Sequence, residues 1–195
     1  MTTSLRLFIA ITALSALPGC IDPPKSPYVN VHHLVTKIDD SRPIAEQGSA
    51  EDQYQLGLRY EQAMPLDPKE AVYWYRTAAI QRHADALYRL CVLSDLGRGL
   101  PQDFHEALRW CRLAVEQGHS QAMFMMATYY DRGRAVPRDV VQAHRWYNLA
   151  SAYGNYEGAK WRDRLALDMN SGQLAEAQLL ARNWRPQAQV ILHQE

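Results

Sequence analysis

No excess of one charge marks this chain: over 195 residues, Lys plus Arg and Asp plus Glu number 21 each. The balance removes the electrostatic footprint that binding to nucleic acid requires. No block of Lys and Arg is present to seat on anionic lipid headgroups. Long apolar runs are missing as well. Leu7–Leu17 falls short of the roughly 20 residues a membrane-spanning helix needs, and no other segment does better. Phenylalanine is scarce, with three residues against five Trp and eleven Tyr, so Trp and Tyr must serve as the aromatic spacers of a packed body.

Catalytic signatures are absent too. There is no Ser-x-x-Lys, no Gly-x-Ser-x-Gly and no Cys-x-x-Cys. His105-Glu106 fails as the start of a zinc-binding helix because Arg109 stands where the second His belongs. His32-His33 has no third ligand in view. Gly97-x-Gly99 lacks the third Gly, the Lys-Ser/Thr and the preceding strand of a phosphate cradle, and reads as a turn. The expectation is a protein that is not an enzyme and needs neither metal nor cofactor.

What is present begins with an address. Residues 1–19 hold one charged side chain, Arg6, and an apolar stretch that ends in Leu17-Pro18-Gly19-Cys20. This resembles the bacterial lipobox, with Leu at −3, a small residue at −1 and Cys at +1; Pro18 departs from the residue usual at −2. The resemblance implies a signal peptide over 1–19 and a lipid anchor at Cys20. Ile21, in place of the Asp that retains such proteins in the inner membrane, implies the outer membrane, facing the periplasm. Pro23, Pro24 and Pro27 then make 20–42 a semi-rigid linker and N-terminal segment.

The body repeats itself. Trp74, Trp110 and Trp146 are spaced by 36, as are Ala71, Ala107 and Ala143, then Ala78, Ala114 and Ala150, then Asp67, Asp103 and Asp139. Upstream, Leu56-Gly57-x-x-Tyr60 aligns with Leu90-Cys91-x-x-Ser94 and Met126-Ala127-x-x-Tyr130. Each repeat reads as two helices, A and B. Asp67, Asp103 and Asp139 are N-caps of helix B, and Glu70, Glu106 and Gln142 are placed to reach back to the cap's own N–H. Spacings of three and four put the Ala and Trp columns on one buried face. Gly118 and Gly154 suit left-handed caps at the end of helix B; Arg82 holds that place in repeat one and Gly48 one repeat earlier, so Ile44–Gln47 is the tail of a degenerate preceding helix. The repeats cover about 50–85, 86–121 and 122–157, with a following helix, within 43–168. Residues 169–195 form a capping helix and tail, with an N-cap at Asn170, a stripe of Leu174, Ala177, Ala181 and Trp184, and Pro186 as its stop.

This signature resembles the Sel-1-like repeat, a relative of the tetratricopeptide repeat. The resemblance implies an all-α fold, a right-handed α-solenoid of three helix-turn-helix repeats closed by a C-terminal helix, with the A helices lining a concave groove. It implies a non-catalytic envelope adaptor or scaffold, a monomer that binds a protein or peptide partner. Alternatives are a structural spacer or peptidoglycan-associated lipoprotein and, less in keeping with the residues, a β-lactam-binding or hydrolysing enzyme as among cysteine-rich relatives. Alignment with the tetratricopeptide pattern places three rows in the groove: Tyr54, Tyr88 and Phe124; Leu58, Val92 and Thr128; Glu61, Asp95 and Asp131. An aromatic row beside an acidic one suits an extended peptide or a basic partner helix. Repeat two departs most, with Cys91 and Cys111 at similar height on its two helices. They form either a disulfide or two reduced, buried small side chains, and a free-thiol count separates these.

Overall fold

The computed structural model describes residues 41–62 and 66–187. The leader, Cys20, His32-His33 and the linker up to residue 40 lie outside the described residues, as does the tail from 188. A helical stretch over 41–47 is followed by eight helices: α1 (Ala50–Gln62), α2 (Pro68–Ile80), α3 (Ala84–Leu96), α4 (Phe104–Glu116), α5 (Ser120–Arg132), α6 (Val140–Ala152), α7 (Tyr156–Ala166) and α8 (Ser171–Asn183). Among the described residues there is no strand, and no helix is long and apolar enough to cross a membrane. Helices α1, α3, α5 and α7 are A helices; α2, α4 and α6 are B helices. Each packs on its sequence neighbour, and the whole is an all-α helical solenoid.

The turns explain why the period holds. Each B helix starts at an Asp whose carboxylate accepts backbone N–H groups: Asp67 from Glu70, Asp103 from His105 and Glu106, Asp139 from Gln142. The reciprocal half of the expected capping box does not form. The cap's own N–H donates instead to the last turn of helix A, at the carbonyls of Tyr60 (3.3 Å), Ser94 (3.0 Å) and Tyr130 (2.9 Å). Glu70 is thereby left to pair with Arg42, and Glu106 with Arg109. Reciprocal capping bonds do form at two other helices, between Ser49 and Asp52 at the start of α1 and between Asn170 and Gln173 at the start of α8.

Helix B closes by a left-handed residue at the same place three times: Arg82 (φ +59°), Gly118 (φ +82°) and Gly154 (φ +94°). The following residue, His83, His119 or Asn155, donates its N–H back to Ala78, Ala114 or Ala150 at 3.2, 3.1 and 2.8 Å. Those alanines are fully buried, as are Ala71, Ala107 and Ala143. Small side chains let neighbouring helices approach closely, and the Trp column fills the wider gaps: Trp74 and Trp146 are buried, Trp110 half-buried. The stretch over 41–47 packs as the tail of a preceding helix, with Ala45 buried and its carbonyl accepting from Gln53 Nε2 at 3.2 Å. At the other end α8 lies over α6. Trp184 meets Trp146 and Tyr153 edge-on, at 5.9 and 5.5 Å between centroids.

Candidate protein-interaction surface

All nine positions expected to line the groove are half-buried, neither sealed in the core nor fully in water. The aromatic row is braced from behind. Tyr54 stacks on His83 (4.7 Å) and Tyr88 on His119 (4.5 Å), while Phe124 lies at 5.3 Å from Tyr147. Those histidines are themselves fixed at both ring nitrogens. Nδ1 accepts the N–H of Ala86 or Ala122 at 3.2 Å, and Nε2 faces Glu51 (2.9 Å) or Asp85 (3.1 Å). Nδ1 can accept only when it carries no proton, so the ring is the neutral tautomer that donates from Nε2. Burial holds the His119 pKa below its ordinary value, against the pull of Asp85.

The middle row differs along its length. Leu58 packs against the core. The Thr128 hydroxyl donates to the Met125 carbonyl at 2.7 Å. Val92 is half-buried without being part of the core packing.

The acidic row is already engaged within the chain. Glu61 accepts the Tyr75 hydroxyl at 2.6 Å and faces Arg89 at 3.7 Å. Asp95 accepts the Tyr129 hydroxyl at 2.6 Å and Arg134 at 3.2 Å. Arg138 donates from Nε to the Asp131 carbonyl at 2.9 Å, with its Nη2 at 3.8 Å from the carboxylate. Burial, then these carboxylates, push the phenols of Tyr75, Tyr129 and Tyr147 up. The face is therefore an aromatic and aliphatic strip with a charge-balanced margin, the composition of an interface core and its polar rim. A basic partner finds no unmatched acidic row there. Among the described residues no three His, Cys, Asp or Glu side chains are grouped to hold a metal.

The Sel1 repeat model matches residues 50–83, 84–119 and 120–155. The chain belongs to the Sel1 repeat family. Proteins of this family are helical solenoids that commonly serve as protein-interaction scaffolds. Similar solved structures include two at 30% identity. One is c5321, a protective antigen present in uropathogenic Escherichia coli strains and displaying an SLR fold: 30% identity, 81% of this chain covered, TM-score 0.70. The chain spans only 36% of that protein. The other is a Sel1 repeat protein from Oxalobacter formigenes, with 30% identity over 66% of this chain and 98% of that one, TM-score 0.59. No curated protein matches.

Two features of these Sel1 repeats were not read from the sequence. His83 and His119 are the helix A caps, a place taken by Asn155 in the next repeat, where Oδ1 accepts from Glu157 and Gly158. The 36-residue spacing of the two histidines was the available signal, masked because His is not among the usual capping residues. The second is the structural logic of the cysteines. In repeat one Tyr75 lies directly on Gly57; a Cβ there would sit 2.6 Å from the ring. Repeat three pairs Ala127 with Tyr147 at the same two positions. In repeat two those positions are Cys91 and Cys111, joined as a disulfide with Cα atoms 5.2 Å apart. Without a tyrosine at 111, Asp95 takes its hydroxyl from Tyr129 of the following A helix instead.

Proposed function

We propose that this chain is a non-catalytic adaptor of a bacterial envelope that holds a protein or peptide partner on the A-helix face. The observation that carries the reading is the strip of Tyr54, Tyr88 and Phe124 with Leu58, Val92 and Thr128, repeated on successive A helices and half-buried throughout, its two tyrosines held by stacking on the capping histidines. Preorganised aromatic side chains lose little entropy on binding, which favours capture of a partner. The margin of matched charges makes selection depend on shape and apolar contact. Leu17-Pro18-Gly19-Cys20 supports a lipid anchor at Cys20, which would tether one end of the solenoid to the periplasmic face of the outer membrane.

Pull-down from detergent-solubilised envelopes tests the adaptor role. A specific protein complex, retained by the parent chain and lost from Val92→Lys at unchanged melting temperature, is the expected result. Recovery of peptidoglycan alone would instead make the protein a spacer. The anchor is tested separately by metabolic labelling with palmitate, expected on the parent chain and abolished by Cys20→Ala; undiminished labelling of the variant would refute it.

A further inference from the structure

A second surface lies on the other side of the repeats, where α4, α5 and α6 meet the chain leaving α8. It is a cleft of about 360 Å³. Its floor is apolar and aromatic, including Met126, Tyr130, Trp146 and Trp184, and its walls carry three arginines, Arg112, Arg145 and Arg185.

The arginines are not neutralised. Arg145 lies over the Trp146 ring at 4.5 Å and donates from Nη1 to Gln142 at 3.2 Å, while its buried Nε has no hydrogen-bond partner among the described residues. Burial draws its pKa down, and no carboxylate of the described residues forms an ion pair with it. Arg112 makes no hydrogen bond or ion pair with another described residue. Among the described residues Arg185 donates only to the carbonyls of Arg182 and Trp184, at 2.7 Å each. Among the described residues one carboxylate, Glu116, lines the cleft, and it pairs with none of the three. Elsewhere on the molecule the arginines facing Glu61, Asp95 and Asp131 are matched to acids. Three guanidinium groups against one carboxylate leave a net positive charge of about two over an aromatic floor. Holding a half-buried guanidinium without a counter-charge costs stability, and an incoming anion would relieve that cost.

We propose that this cleft binds an acidic segment of a partner protein, with Asp or Glu carboxylates on Arg112 and Arg145 and an adjacent apolar side chain on Trp146 and Trp184. The guanidinium fork suits a carboxylate because two parallel N–H donors meet its two oxygens. The apolar floor favours a peptide over a bare inorganic anion, which would leave that floor in water. This site is independent of the A-helix strip and of the reading given to it.

Panning a phage-displayed random peptide library on the full chain provides the test. Enriched peptides are expected to carry Asp or Glu beside an apolar residue. A fluorescein-labelled copy of the enriched peptide should bind about tenfold or more weakly to Arg145→Gln and to Arg112→Gln, each checked for an unchanged melt. Val92→Lys on the opposite face should leave its affinity intact. Neutral or basic enriched peptides, no enrichment, or full affinity in the folded arginine variants would overturn the proposal. So would displacement by inorganic phosphate at the same concentrations as by unlabelled peptide, which would mark a general anion site. Self-association abolished by Arg145→Gln would assign the cleft to a second copy of the chain, and would overturn it equally.

Discussion

His119 carries two tasks on one ring, capping α5 through Nδ1 and supporting Tyr88 of the groove by stacking. Because burial lowers its folded pKa, the unfolded chain takes up the proton first. The stability it contributes is present above its ordinary value of 6.5 and is lost as pH falls from there through the lower folded pKa. The protein should therefore melt progressively lower in mild acid. His144, buried and also lowered by burial and by Arg162, adds in the same direction. His119→Asn borrows the residue that caps the next A helix, so it keeps the cap and removes the proton. Melting temperature measured between about pH 7 and 5 should show a shallower slope in the variant; an identical slope would exclude His119 as a source. A second residue is conformationally misplaced. Arg82 sits at φ +59° where the later repeats have glycine. Left-handed backbone costs a non-glycine residue roughly 1–2 kcal/mol, part of which glycine's greater freedom in the unfolded chain offsets. Arg82→Gly should stabilise by about 0.5–1 kcal/mol in urea titration, and a loss of stability would contradict the strain.

Within a repeat, the pair of positions 57 and 75, 91 and 111, 127 and 147 shows three solutions to one packing problem. Cys111→Tyr alone places a ring where Cys91 already has a side chain, and leaves a free thiol beneath it. Adding Cys91→Gly recreates the repeat-one arrangement. The double variant should be more stable than the sum of its single changes, a coupling of about 0.5–3 kcal/mol by double-mutant cycle. Strict additivity would mean the two positions do not pack as Gly57 and Tyr75 do. How far such detail was legible depends on distance along the chain. The repeat phase, the Asp caps and the core columns lie at fixed spacings, so the sequence displays them directly. The capping box expected at helix B does not close because the N–H of Asp103 is claimed by Ser94, across the turn from helix A. The acidic row looked free because its counter-charges come from elsewhere: Arg89 from the next A helix, Arg134 and Arg138 from a later turn. The arginine cleft depends on how the chain leaves α8, which no periodicity reports.

At the scale of the whole molecule, each helix touches mainly its neighbours, so a local change should decay along the array. Trp184→Ala uncovers Trp146 and Tyr153 at one end. Hydrogen exchange should accelerate in α6, α7 and α8 while α1 and α2 keep the parent protection; uniform loss would mean the solenoid unfolds as one unit. The same linear build lets a single strip of side chains run across successive repeats, and the proposed function rests on that strip. Val92 lies at its centre and outside the core packing, so it accepts a reporter without disturbing the fold. The most direct measurement is in-cell photocrosslinking from benzoylphenylalanine placed at Val92, beside the same probe at Ile80, an exposed site at the end of α2. A discrete adduct with one partner from position 92, absent from position 80, is the predicted result. No adduct from 92, or the same adducts from both positions, would contradict a partner-binding A-helix face.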